Sequence, residues 1–164
     1  IAVNVLDKLC LDPVVIANPK RDYSFLSCPV INDLIPAKGP LGGFYTACSF
    51  FPEVSLLVLA CDMPFLTEEV LKELMRSHRR SNQATIFKFS QALQPFPGIY
   101  EPCLKLLARD CIRANILSIQ QFIQKIPEKK FLFLSPNQDI FVNVNSKRDF
   151  QRILRKEKDR MHSK

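Results

Sequence analysis

The chain lacks the signatures of several function classes. No two of its six cysteines (10, 28, 48, 61, 103 and 111) are spaced C-x-x-C, and its two histidines, His78 and His162, stand among basic neighbours. That removes the ligand spacing of a zinc site. The cysteines read as buried, reduced thiols of a cytoplasmic protein, Cys61 included, and the histidines as solvated. No G-K-[ST] ends a glycine loop and no G-x-G-x-x-G occurs, so the Walker loop and the dinucleotide fingerprint are both missing. No Ser/His/Asp or Cys/His nucleophile set stands out. The longest uncharged apolar stretch, 41–52, is too short to span a bilayer and contains Gly, Thr and Ser. No secretory leader pattern opens the chain, and no linker, repeat or low-complexity segment divides it.

What remains is an ordinary globular composition. The 164 residues are 47% hydrophobic and 24% charged, which fits one domain with a real core. Of the net charge of +7, residues 152–164 supply +4. A basic terminal helix face without interleaved aromatics argues against a nucleic-acid partner, and a mild positive balance suits polyphosphate substrates.

Elements alternate along the chain. Strands are expected over 13–17, 28–31, 55–60, 84–89, 129–134 and 139–144, with an extended segment over 95–100. Helices are expected over 1–9, 44–51, 67–77 and 102–111, followed by one capped by Asn115 and a last one with a Ser146/Asp149 capping box. Strands alternating with helices imply an α/β domain whose mostly parallel sheet is covered by helices on both faces.

The candidate site gathers at strand ends. Asp62, in Ala60-Cys61-Asp62-Met63-Pro64, ends the apolar run 55–59, where open α/β sheets bind ligands. A rigidly held carboxylate there suits a magnesium ligand beside a nucleoside triphosphate. Asn18 and Asp33 also follow strands; each has a plain reading as a turn former and a second as part of one polar rim. Gly39-Pro40-Leu41-Gly42-Gly43 reads as a loop opening a helix, either a tight turn or a place where backbone approaches phosphate or base. Asn143 and Asn145 alternate on a strand and face one way, either as turn residues or as a grip on a polar heterocycle or phosphate.

In this order the segments resemble the molybdenum cofactor guanylyltransferase family (molybdopterin-guanine dinucleotide biosynthesis protein A). Residues 14–18 are similar to its V-V-V-x-A-N strand end, 29–33 to its V-x-x-D segment, 39–43 to its G-P-L-x-G loop and 59–66 to its C-D-x-P-x-[IL] motif. Residues 94–100 resemble P-L-P-G-V-Y, and 141–146 resemble F-V-N-V-N-T-P. The resemblance implies a three-layer Rossmann-like nucleotidyltransferase fold of the nucleotide-diphospho-sugar transferase type. It implies transfer of GMP from GTP to molybdopterin, giving the guanine dinucleotide and pyrophosphate. By the same resemblance Asp62 is the catalytic residue and holds Mg²⁺; Asn18, Asp33, Gly39, Pro40, Leu41 and Gly43 line the nucleotide pocket with it; Asn143 and Asn145 lie on the pterin side. Molybdoenzymes or accessory cofactor-biosynthesis proteins are the implied protein partners.

The family's opening strand and L-A-G-G-x-S-x-R-M-G-x-x-K loop have no counterpart after Ile1. The expectation is therefore a single domain over 1–164, N-terminally truncated, with the first strand missing. A cytidylyl- or sugar-phosphate nucleotidyltransferase and an inactive nucleotide- or pterin-binding remnant are the alternatives.

Overall fold

A computed structural model describes residues 2–9, 11–18, 20–89 and 92–133. Asn143, Asn145, the strand expected over 139–144 and the last helix lie outside these residues. The described elements are α1 (Ala2–Lys8), β1 (Val15–Ala17), β2 (Val30–Asn32), α2 (Gly39–Phe50), β3 (Leu56–Val58), α3 (Glu68–Ser77), β4 (Ala84–Phe89), β5 (Ala92–Tyr100), a 3₁₀ turn (Pro102–Leu104), α4 (Lys105–Arg113), α5 (Ile119–Lys125) and β6 (Lys129–Phe133).

The strands form two hydrogen-bonded sheets. β1 and β2 pair in parallel, Ala17 opposite Asn32. The larger sheet has the order β3-β5-β4-β6. β5 runs antiparallel to both neighbours while β4 and β6 are parallel, so three of its four strands share one direction. The α/β class read from the sequence holds, with β5 as the reversed strand that makes the larger sheet mixed rather than mostly parallel in its pairing.

Side-chain alternation on the strands builds a core on each face. Ala84, Ile86 and Tyr100 join Leu41, Phe44 and Cys48 of α2, Ala108 and Cys111 of α4, and Phe122 and Ile123 of α5. Phe87 and Ile99 point the other way, to Val70, Leu71 and Leu74 of α3, with Val5 and Leu6 of α1 packed alongside. Helices thus cover both faces, and the ring of Phe44 packs edge-on to Tyr100 at 5.3 Å.

Four local expectations change. β5 begins at Ala92 and is a ladder strand, although Pro95 and Pro97 argue against a strand interior. The ladder accommodates them with a register break: Ile86 pairs with Gly98 and Phe87 with Gln94, so 95–97 stand outside the pairing. Asn115 does not cap α5. It adopts φ 56° just past α4, where its N–H and that of Ile116 close the helix on Ile112 and Cys111, while Ser118 caps α5 by accepting from the Gln121 N–H. β3 stops at Val58, and Cys61 is an exposed turn residue rather than core. Cys103 is also exposed, whereas Cys48 and Cys111 are buried as expected. Finally, residues 39–43 are the first turn of α2 rather than a loop before it. Pro40 is tolerated there because a helix's first N–H groups have no internal acceptor.

Candidate functional site

The carboxyl ends of β1 and β2 lie side by side, and the polar residues that follow them meet there. The Asp33 N–H donates to the Ala17 carbonyl at 2.9 Å, extending the β1–β2 pairing by one bond. Asn18 Oδ1 accepts from the Lys20 N–H at 3.0 Å, and Asp33 Oδ1 from the Ile35 N–H at 3.0 Å. Both residues therefore make the local turn bonds that their chemistry favours. They do so on one rim, so the turn reading and the rim reading coexist.

The first turn of α2 closes on the same place. A side chain at Gly42 would stand 2.7 Å from the Ile35 carbonyl oxygen and 3.3 Å from Asp33 Oδ2. Only a residue without a Cβ lets the 33–35 turn lie against the helix without a shift. Gly43 sits over Ile16 of β1. Ala37 (φ 67°) and Gly39 (φ 60°), on either side of Lys38, are both left-handed. Gly39 and Pro40 are exposed at the mouth, but Leu41 is fully buried in the core. At position 41 a ligand can meet backbone, not side chain.

Sequence reasoning missed Thr46. It lies one helical turn after Gly42 and is fully buried. Its Oγ1 accepts from the Leu34 N–H at 3.0 Å and lies 2.9 Å from Asp33 Oδ1 and 3.0 Å from the Gly42 carbonyl. A polar residue on an otherwise buried helix face, four positions after a glycine, was the available signal.

Asp62 follows a strand of the other sheet. α2 packs against both β1 and β3, starts beside Asp33 and ends where the chain turns toward β3. β3 follows α2 and packs against it, and Asp62 stands in the turn after the carboxyl end of that strand. Met63 and Leu66 beside it are buried, and Asp62 Oδ1 is buried without a hydrogen-bond partner among the described residues. An orphaned carboxylate oxygen is costly unless a cation or a donor completes it. No group of three or more His, Cys, Asp or Glu lies together among the described residues. A Mg²⁺ held through one carboxylate plus substrate phosphates and water needs no such cluster.

A second polar cluster occupies the opposite rim, where β3 begins. His78, at the end of α3, is half-buried, its side chain turned inward rather than solvated. Its Nδ1 lies 2.9 Å from the Thr85 hydroxyl and its Nε2 2.8 Å from Glu101 Oε1, which also accepts from Ser55. Glu101 separates Ser55 from His78, so this is a strut joining α3, β3, β4 and β5 rather than a nucleophile set.

Comparison with known proteins shows the family. The model of the MobA-like NTP transferase domain matches residues 1–128. The chain belongs to that family. A Flavobacterium johnsoniae protein named "Probable molybdenum cofactor guanylyltransferase" is 29% identical over 135 residues, covering 82% of this chain and 71% of the relative. A Syntrophotalea carbinolica protein named molybdenum cofactor guanylyltransferase is 26% identical over 148 residues, covering 87% and 70%. The crystal structure of molybdopterin-guanine dinucleotide biosynthesis protein A from Archaeoglobus fulgidus superposes with a TM-score of 0.74 at 23% identity, covering 90% of this chain and 80% of that one. The last likeness shows the fold, and with the family model it agrees with the nucleotidyltransferase-type α/β fold expected from the sequence.

Proposed function

We propose that this NTP transferase domain moves GMP from GTP to molybdopterin, giving the guanine dinucleotide form and pyrophosphate. The observation that carries the proposal is the orphaned Asp62 oxygen following β3, in a chain whose relatives bear the guanylyltransferase name over most of its length.

Nucleotidyl transfer needs positioning and charge neutralisation more than a protein nucleophile. In the proposed arrangement Asn18, Asp33 and the backbone of Gly39, Pro40, Leu41 and Gly43 orient the nucleotide at the β1–β2 rim. The free N–H groups of the α2 first turn favour an anionic or carbonyl oxygen. Asp62, with its orphaned oxygen, would hold Mg²⁺. When bound, the metal neutralises phosphate charge and polarises the phosphorus that is attacked. In the reaction the terminal phosphate of molybdopterin forms a bond to the α-phosphorus of GTP as the bond to pyrophosphate breaks. Asn143 and Asn145 are proposed for the pterin side. The protein partners are then molybdoenzymes or accessory cofactor-biosynthesis proteins. No helix among the described residues is long and apolar enough to cross a membrane, and a cytoplasmic setting suits the free thiols of the described cysteines.

The test is pyrophosphate release from GTP, CTP and ATP with Mg²⁺ and molybdopterin, with mass analysis of the pterin product. Release with GTP and a product heavier by GMP is expected. Product with CTP alone would overturn the guanylyl assignment within the same family.

A further inference from the structure

We propose that Thr46 is a positioning residue for the nucleotide, acting through Asp33. The inference rests on the reading above that Asp33 faces the nucleotide, and it deepens that reading.

Thr46 has one hydroxyl proton and two acceptors within reach, Asp33 Oδ1 at 2.9 Å and the Gly42 carbonyl at 3.0 Å. A bond to a carboxylate is the stronger of the two. The same oxygen accepts from the Leu34 N–H, so one fully buried atom joins the turn after β2 to the first turns of α2. Asp33 Oδ1 is then held twice, by Thr46 and by the Ile35 N–H. Oδ2 makes no hydrogen bond within the described residues and lies against Gly42, where a Cβ would meet it at 3.3 Å. The carboxylate is thus fixed at one oxygen, leaving the other as an acceptor at the mouth of α2. That arrangement suits a hydroxyl or amino hydrogen of a nucleoside. Without the Thr46 hydroxyl the carboxylate keeps only its local turn bond and is less firmly held, so more of its ordering falls to the ligand.

The experiment uses the full chain and measures GTP affinity with Mg²⁺ by calorimetry, for wild type, Thr46→Val, Thr46→Ser, Asp33→Ala and the Thr46→Val/Asp33→Ala double variant. Valine keeps the shape and removes the hydroxyl. Thr46→Val is expected to weaken GTP binding about tenfold, with turnover at saturating GTP preserved within about threefold. Thr46→Ser should stay within about twofold of wild type. In the Asp33→Ala background Thr46→Val should cost nothing further, because its effect passes through the missing carboxylate. Equal affinity of Thr46→Val and wild type, the same loss in both backgrounds, or a Thr46→Ser loss as large as that of valine would each overturn the proposal. If the valine variant does not fold, Thr46→Cys, of similar size with a weak donor, takes its place under the same criteria. Absence of nucleotide binding by wild type would overturn the functional reading and this inference with it. Wild-type binding matched by Thr46→Val would overturn the Thr46 role alone.

Discussion

Asp62 and the cysteines show how differently individual side chains are used. A buried carboxylate oxygen without a partner destabilises the free protein, so Asp62 should mark a trade between stability and activity. Asp62→Ala is expected to leave the melting temperature without ligand unchanged or slightly higher, while GMP transfer falls on the order of 10³-fold. Paired calorimetric scans and pyrophosphate assays check this, and a large loss of stability together with retained turnover would contradict it. The thiols divide by burial. Burial pushes the Cys48 thiol up to about 12, with Cys103 nearby adding to the shift and Lys105 opposing it. The thiolate is the nucleophile, so at pH 8 iodoacetamide should label exposed Cys61 and Cys103 at least about 100-fold faster than Cys48. Mass mapping of the native protein after short exposure reads this out.

Among the elements, β5 is the one whose form depends most on a single residue. Gly98 pairs with Val58 on one side and Ile86 on the other. A Cβ there would meet the Pro95 carbonyl oxygen at 2.7 Å, the Tyr100 ring at 2.8 Å and Ile86 at 3.0 Å. Gly98→Ala should therefore destabilise by about 1–3 kcal/mol, measured by urea unfolding. Ala37 makes the opposite case: Ala37→Gly should stabilise by about 1 kcal/mol, because an L side chain is strained at its φ of 67°. These elements also show what was legible. α3 was readable because Val70, Leu71 and Leu74 recur at helical spacing, with Glu68 and Glu69 in its first turn. β5 was only half readable, because its prolines signal a break while the register shift that absorbs them depends on a distant partner strand. Asn115 and Ser118 compete for one cap, and the choice rests on a left-handed turn that local sequence does not fix. The positions of Asn18, Asp33 and Asp62 after strands were legible from the apolar runs before them. Thr46 was not, because its importance comes from a turn thirteen residues earlier folding back onto it. His78 was misjudged because its basic neighbours conceal a side chain turned inward to Glu101.

At the scale of the whole molecule, the core between the larger sheet and α2, α4 and α5 contains groups that resist ionisation. Burial alone pushes the Tyr100 phenol far up, and Cys48 is raised to about 12. Each group holds its proton longer when folded than when unfolded. Stability from this source is complete below the unfolded cysteine value near 9 and is lost as pH rises from about 9 toward 12. Denaturant midpoints measured from pH 8 to 11 should fall steadily over that range, and Cys48→Ala should make the decline shallower. The larger claim is that the β1–β2 rim, the first turn of α2 and the residue ending the β3 segment converge on one metal-bound nucleotide. Crystals of the full chain grown with GTP and Mn²⁺ test it most directly. The expected anomalous map shows a metal peak about 2 Å from Asp62 Oδ1, with the nucleotide running from it to Asn18 and Asp33. A bound nucleotide whose metal lies away from Asp62, or whose base lies away from that rim, would contradict it.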